Sequence, residues 1–335
     1  MNINDILDLL IESNGSDIHL IPELPPVLRI DGDLAPVSGV GALSAQDMET
    51  LIDPLMTEEQ KKAFAEEKEW DFGYQHGDKG RFRINVYYTK GRKAAALRLI
   101  PARIKSMMEL GLPKAFENLV HKQQGLVLVT GPTGEGKSTS LAALIDQINT
   151  ERNEHILTIE DPIEFVYKPK KSIISQREIN QDTKGWTVAL RSALREDPDV
   201  VLVGELRDYE TIAAAITVAE TGHLVMGTLH TATAAQTIDR IVDVFESKDQ
   251  IRVQLASVLT AIVSQRLVQT VEGLLTPVFE ILIATPAVKN CIREGKTFMI
   301  DNIMQTSSDM GMVALDYSLA KLVKAGTITE ELAMS

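Results

Sequence analysis

The chain has a single cysteine, Cys291, among 335 residues. One thiol excludes an internal disulfide and any cysteine-rich zinc element, and Cys291 itself reads as a small buried apolar residue. No apolar run approaches the ~18 residues that a membrane helix needs. The opening "MNINDILDLLIESNG" has acids and no basic residue ahead of its apolar positions, the wrong polarity for a secretory or transit signal, so a cytoplasmic location is expected. Cations are also in deficit: Lys and Arg number 34 against 47 Asp and Glu, a formal net charge of -13. Such a surface repels phosphate backbones, which argues against a motor that runs on nucleic acid.

One segment lacks the opposite charge. From Lys79 to Lys105, "KGRFRINVYYTKGRKAAALRLIPARIK" has nine basic residues and no Asp or Glu. Such a cluster implies either an anionic partner or a solvated cationic face, and for Lys90, Arg92 and Lys93, beside a turn, the solvated face is the better reading.

The length exceeds what one core usually supports, so two domains are expected. Residues 3–12 have the spacing of an amphipathic helix, and short strands broken by prolines follow. A helix is predicted over roughly 44–67, then strands from Trp70, with turns near Asp78 and at Lys90-Gly91. This makes a small α+β domain over 1–100, followed by a linker over 101–113 with one short helix. From 114 to 335 the character is α/β: "GLVLVT", "HILTIE", "DVVLVGE" and "HLVMGTLH" are apolar strands that alternate with helices, as in a parallel sheet covered on both faces. Beyond about 234 the pattern becomes mainly helical, including "DQIRVQLASVLTAIVSQRLV", with one hairpin at "LLTPVFEILIA".

The chemistry concentrates in "TGPTGEGKST". Gly131, Pro132, Thr133, Gly134, Glu135, Gly136, Lys137 and Ser138 fit G-x-x-x-x-G-K-[ST] directly after a strand and at the start of a helix, with Thr139 next. Glycines let backbone N–H groups face phosphates, the helix start adds partial positive charge, and Lys137 supplies a full one. Ser138 is the expected magnesium ligand, so ATP and Mg2+ are the expected cofactors.

Hydrolysis needs a carboxylate near the terminal phosphate, and "DVVLVGELRD" offers Glu205 to polarise the water. Gly204 stands where an Asp commonly holds the metal, which leaves Glu160, Asp161 and Glu164 of "TIEDPIE" as further acids. Glu164 is expected to assist Glu205, while Asp161 serves equally well as a helix cap. His223 and His230 bracket one strand and cannot share a ligand atom. His230 falls at the catalytic end, as a γ-phosphate sensor or as a satisfied core histidine, and both readings stay open.

Taken in order, "GPTGEGKST", "TIEDPIEFV", "LREDPDVVLVGELRD" and "AETGHLVMGTLHT" resemble the four boxes of the secretion ATPases, and "GSDIHL", "GRFRINVYY", "VSQRLV" and "AVKNCIREGK" resemble the PilT-type motors that retract type IV pili. The resemblance covers essentially the whole chain. It implies a RecA-like P-loop NTPase domain with a PAS-like N-terminal domain and a helical C-terminal part. It further implies a homohexamer at the pilus base, peripheral to the inner membrane, that works on a membrane-embedded platform protein. ATP would be bound between the domains, where Arg81, Arg83 and Arg98 would stabilise phosphate charge, and His223 is carried into the nucleotide-binding set. The missing four-cysteine zinc element favours retraction over the assembly and type II secretion motors, which remain the alternative together with a non-catalytic nucleotide-binding regulator. Two departures stand out. Leu206 replaces a familiar Met, and Glu135 replaces a small residue, so that an acid beside the polyphosphate is expected to weaken nucleotide binding.

Overall fold

A computed structural model describes residues 2–101 and 103–334. Ala102, in the expected linker, and the two terminal residues of the expected domains lie outside the described residues. The chain divides into two units. The first is Met1–Arg103 with the segment Asp161–Val166, and the second is Ile104–Glu160 with Tyr167–Ser335. Residues 161–166, expected within the ATPase domain, therefore belong to the first unit.

In the first unit, helix α1 (Ile3–Glu12) begins in a capping box of Asn2 and Asp5. Strands β1 (Asp17–Leu20), β2 (Val27–Ile30) and β3 (Asp33–Pro36) follow. The single helix expected over 44–67 is two: α2 (Ala45–Ile52) and α3 (Glu58–Glu67). Pro54 sits in the 3-10 turn between them, where its ring cannot continue an α-helix, and Thr57 with Gln60 caps the restart. Strands β4 (Glu69–His76), β5 (Gly80–Thr89) and β6 (Arg92–Ile100) complete an antiparallel sheet in the order β3-β2-β1-β6-β5-β4. Alternation along β5 sends Phe82, Ile84 and Val86 into a core with Ile6, Leu7, Leu10 and Leu97. Arg81 and Arg83 then share the opposite face. The expected linker helix is only a run of turns over 107–111, closed by Ser106 and Glu109.

The second unit starts with α4 (Ala115–Val120) and β7 (Gly125–Thr130), all of whose residues are buried. Helix α5 (Lys137–Glu151) and strand β8 (His155–Glu160) follow, then β9 (Ile173–Glu178), α6 (Trp186–Ala193), β10 (Val200–Val203), α7 (Tyr209–Glu220) and β11 (Leu224–Leu229). Next come α8 (Ala234–Asp243), α9 (Lys248–Val258), β12 (Leu259–Gln269) and β13 (Leu275–Ile283). Helices α10 (Pro286–Arg293), α11 (Ile300–Thr306), α12 (Leu315–Lys324) and α13 (Glu330–Met334) end the chain.

The sheet order is β13-β12-β7-β11-β10-β8-β9. Only β13 runs antiparallel to its neighbour. The four predicted strands are its centre. The helical pattern expected to continue through residues 259–268 is corrected to β12, which pairs with β7 on one side and β13 on the other. Its continuously buried stretch from Ala261 to Gln265 has no face left to show a periodicity, and β9, a seventh strand, was not anticipated. The same core holds Cys291, which is buried and free.

Candidate functional site

Strand β7 delivers the loop of residues 131–136 at its C-terminal end. Two of its glycines are required by close approach. A Cβ on Gly131 would meet the Gln265 carbonyl oxygen at 2.3 Å, and Gly136, at φ +76°, would bring a Cβ to 3.0 Å from Gln265 Nε2. The loop is thus pressed against β12. Gln265, 2% exposed, accepts from Ser140 Oγ at 2.7 Å and donates to the Glu135 carbonyl at 2.6 Å.

Helix α5 has no side-chain cap, unlike α1, α2 and α3, and no acid in its first turn. Ser138 and Thr139 lie in that turn, where N–H groups are left for an anion. Lys137 is 8% exposed; its ammonium donates to the carbonyls of Gly131 and Pro132 at 2.7 Å each and lies 3.4 Å from His230 Nδ1. Thr133 and Gly134 form the exposed crest beside Pro132. An uncapped helix start with a buried cation fits a phosphate group.

His230 carries the contact onward, since its Nε2 is 2.9 Å from Glu205 Oε1, which also accepts from Arg207 Nε at 2.5 Å. Burial raises the Glu205 pKa, but the hydrogen bond and charge of Arg207 together with His230 outweigh it and hold the carboxyl below its ordinary value. Lys137, His230, Glu205 and Arg207 thereby form one line of polar contacts at the C-terminal ends of β7, β10 and β11. Arg207 and Gln265 were not foreseen. The only signal for Arg207 was its place two residues after Glu205, and for Gln265 there was none.

A side chain at Gly204, the Asp position, would be tight against its neighbours. A Cβ there would stand 3.3 Å from the Ile159 carbonyl oxygen and from the Trp186 ring, and 3.4 Å from Glu160 Cα. Glu160, at the end of β8, is 7% exposed and accepts from Thr158 Oγ1 at 2.6 Å and Gln176 Nε2 at 3.2 Å. His223 stands apart from the loop within the chain. It precedes β11 at the end remote from the loop, where Nδ1 lies 3.0 Å from the Val218 carbonyl and 2.9 Å from Thr221 Oγ1. Among the described residues no group of three or more His, Cys, Asp or Glu could hold a metal ion.

The first unit has its own cluster. Arg83 and Arg98 are directly paired across β5 and β6, and Asp17 stands opposite Arg98 on β1. Arg83 donates to Asp71 through Nε at 3.0 Å and Nη2 at 2.6 Å, and Glu164 lies 3.7 Å from its Nη1. Asp71, with Glu164 and Asp161 adding their fields, raises the Arg83 pKa against the effect of burial. Arg98 donates to Asp17 at 2.8 Å. Arg81 follows on the same face, opposite Ile100. The three arginines are brought together, and Asp161 and Glu164 belong with Arg83.

A type II/IV secretion system protein model matches residues 2–295. The chain belongs to that family. Among its relatives, the type IV pilus retraction ATPase PilT of Pseudomonas aeruginosa is 46% identical, over 99% of this chain and 96% of that protein. The twitching motility protein of Neisseria gonorrhoeae is 48% identical over 92% of this chain and 83% of its own length. A crystal structure of the family's pilus retraction motor PilT with bound ADP superposes with a TM-score of 0.92 at 46% identity, covering all of this chain and 96% of that one.

Proposed function

We propose that this protein is an ATP-hydrolysing motor of the type IV pilus machinery that drives pilus retraction. The observation that carries the reading is likeness over the full length, in sequence and fold, to pilus retraction motors. In this reading the loop from Gly131 to Gly136, with Lys137, Ser138 and Thr139, holds the phosphates. Ser138 would hold magnesium, which would neutralise phosphate charge when bound with ATP. Glu205 accepts the proton of the attacking water, and its lowered pKa keeps it ionised at neutral pH. His230, touching both Lys137 and Glu205, registers the γ-phosphate; Arg207 fixes the charge of Glu205. Glu160 orders the end of β8. Arg81, Arg83 and Arg98 stabilise developing phosphate charge, with Asp161 and Glu164 as carboxylates that set the state of Arg83.

The working form is a homohexamer in the cytoplasm at the inner-membrane base of the pilus, where it acts on a platform protein. Among the described residues no helix is long and apolar enough to cross a membrane. The segment over 101–113 is the hinge through which hydrolysis becomes relative domain movement.

Purified protein is expected to hydrolyse ATP with magnesium. Lys137→Ala and Glu205→Gln each lower kcat by about a hundredfold or more, the scale of lost electrostatic or general-base catalysis. Deleting the gene should leave cells piliated but unable to twitch. Absence of pili, or of secreted proteins, would move the protein to the assembly or type II secretion branch, and tight ATP binding with background turnover would make it a regulator.

A further inference from the structure

Glu135, the acid in the phosphate-binding loop, does not face the cradle. Its carboxylate accepts a hydrogen bond from the Leu267 backbone N–H, while its carbonyl accepts from Gln265 Nε2 at 2.6 Å. The reason lies in the sheet. Strand β7 pairs with β12 only as far as Thr130 opposite Ser264, and then departs into the loop. Past Ser264, β12 keeps β13 on one edge, where Leu267 stands opposite Pro277, but has lost its strand neighbour on the other. A half-buried N–H on that edge needs an acceptor. A Glu side chain is long enough to supply one, whereas the small residue familiar at this place is not.

We infer that Glu135 is a positioning residue for nucleotide binding: its carboxylate replaces the missing β-strand acceptor at Leu267 and clips the loop to β12 before ATP arrives. The inference rests on the reading of this loop as the ATP site. It reverses the expectation that the acid opposes the phosphates, because the clip spends the carboxylate on backbone and orders the loop in advance. Gln265 holds the main chain of the same residue and Ser140 holds Gln265, so the clip is the outer end of a continuous tie from α5 to β12.

The test separates the acceptor from the charge. Glu135→Gln keeps an oxygen that can accept from Leu267, and Glu135→Ser and Glu135→Ala keep none that reaches. Amide exchange at Leu267, measured on the full chain without nucleotide, should accelerate roughly tenfold in the Ser and Ala variants and stay slower in the Gln variant. The KM for ATP should rise about 2- to 10-fold in Ser and Ala, by more than kcat falls, with the Gln variant recovering most of the loss. The Ser variant carries the test should Ala fail to fold. If Leu267 exchange is the same in all variants, the clip is incidental and the proposal is overturned. If KM falls in all three, the charge opposes phosphate and the proposal is likewise overturned. Should Lys137→Ala leave ATP binding intact, the ATP-site reading fails by itself, while the exchange data still report on the clip.

Discussion

Glu205 lies between Arg207 and His230, and this arrangement has a kinetic consequence. Its pKa is lowered because Arg207 and His230 outweigh burial, so the base stays ionised as pH falls until its depressed pKa is reached. Arg207→Ala removes the larger of the two opposing contributions and leaves burial less compensated. The acid limb of the kcat/KM profile for ATP is therefore expected to move to higher pH in this variant, with kcat at neutral pH reduced by less than in Glu205→Gln. An unmoved limb in a folded variant would remove Arg207 from this role. The glycine loop and its helix start were legible because their pattern is local: a strand, a glycine loop and a helix start occupy about a dozen consecutive positions. Gln265 and Asp71 were not, since each acquires its role from a partner that the fold alone brings near, Glu135 across 130 positions and Arg83 across a hairpin.

Among the elements, β12 shows where periodicity stops informing. Leu259 to Gln265 is almost wholly buried, so helix and strand spacings fit equally well, and only pairing to β7 and β13 decides. Helix α8 shows a second kind of long-range control. Its first N–H, at Ala234, donates at 2.6 Å to Glu280, a 7% exposed carboxyl on β13. Burial raises the Glu280 pKa, assisted by Asp301 and Asp316, while the Ala234 N–H and Arg266 lower it. For an acid raised in this way the native state binds the proton more tightly than the unfolded chain. The stability penalty is absent below the unfolded value, grows as pH rises through the folded pKa, and is complete above it. Glu280→Gln carries no such penalty and still offers an oxygen to Ala234. Urea midpoints from about pH 4 to about pH 8 should show the wild type losing ground to the variant as pH rises, and a pH-independent difference would mean that Glu280 does not titrate in this way.

At the scale of the molecule, a strand-rich first part and an apolar α/β second part could be read from the hydrophobic pattern. The assignment of 161–166 to the first unit could not, because that segment is contiguous in sequence with the second. A motor that works as a closed ring should lose turnover per chain on dilution, as subunits separate, and regain it on concentration; specific activity independent of concentration, with a single-chain mass in solution, would contradict the ring. The arginine row of the first unit adds a condition on how such a ring can work. Arg83 and Arg98 already hold carboxylates of their own, Asp71 and Asp17. An incoming phosphate there would be a rival suitor rather than a first guest, and each engagement would set a carboxylate loose. The return of that carboxylate would then give the departing phosphate a ready-made successor, and this face would reset without waiting for ions from solvent.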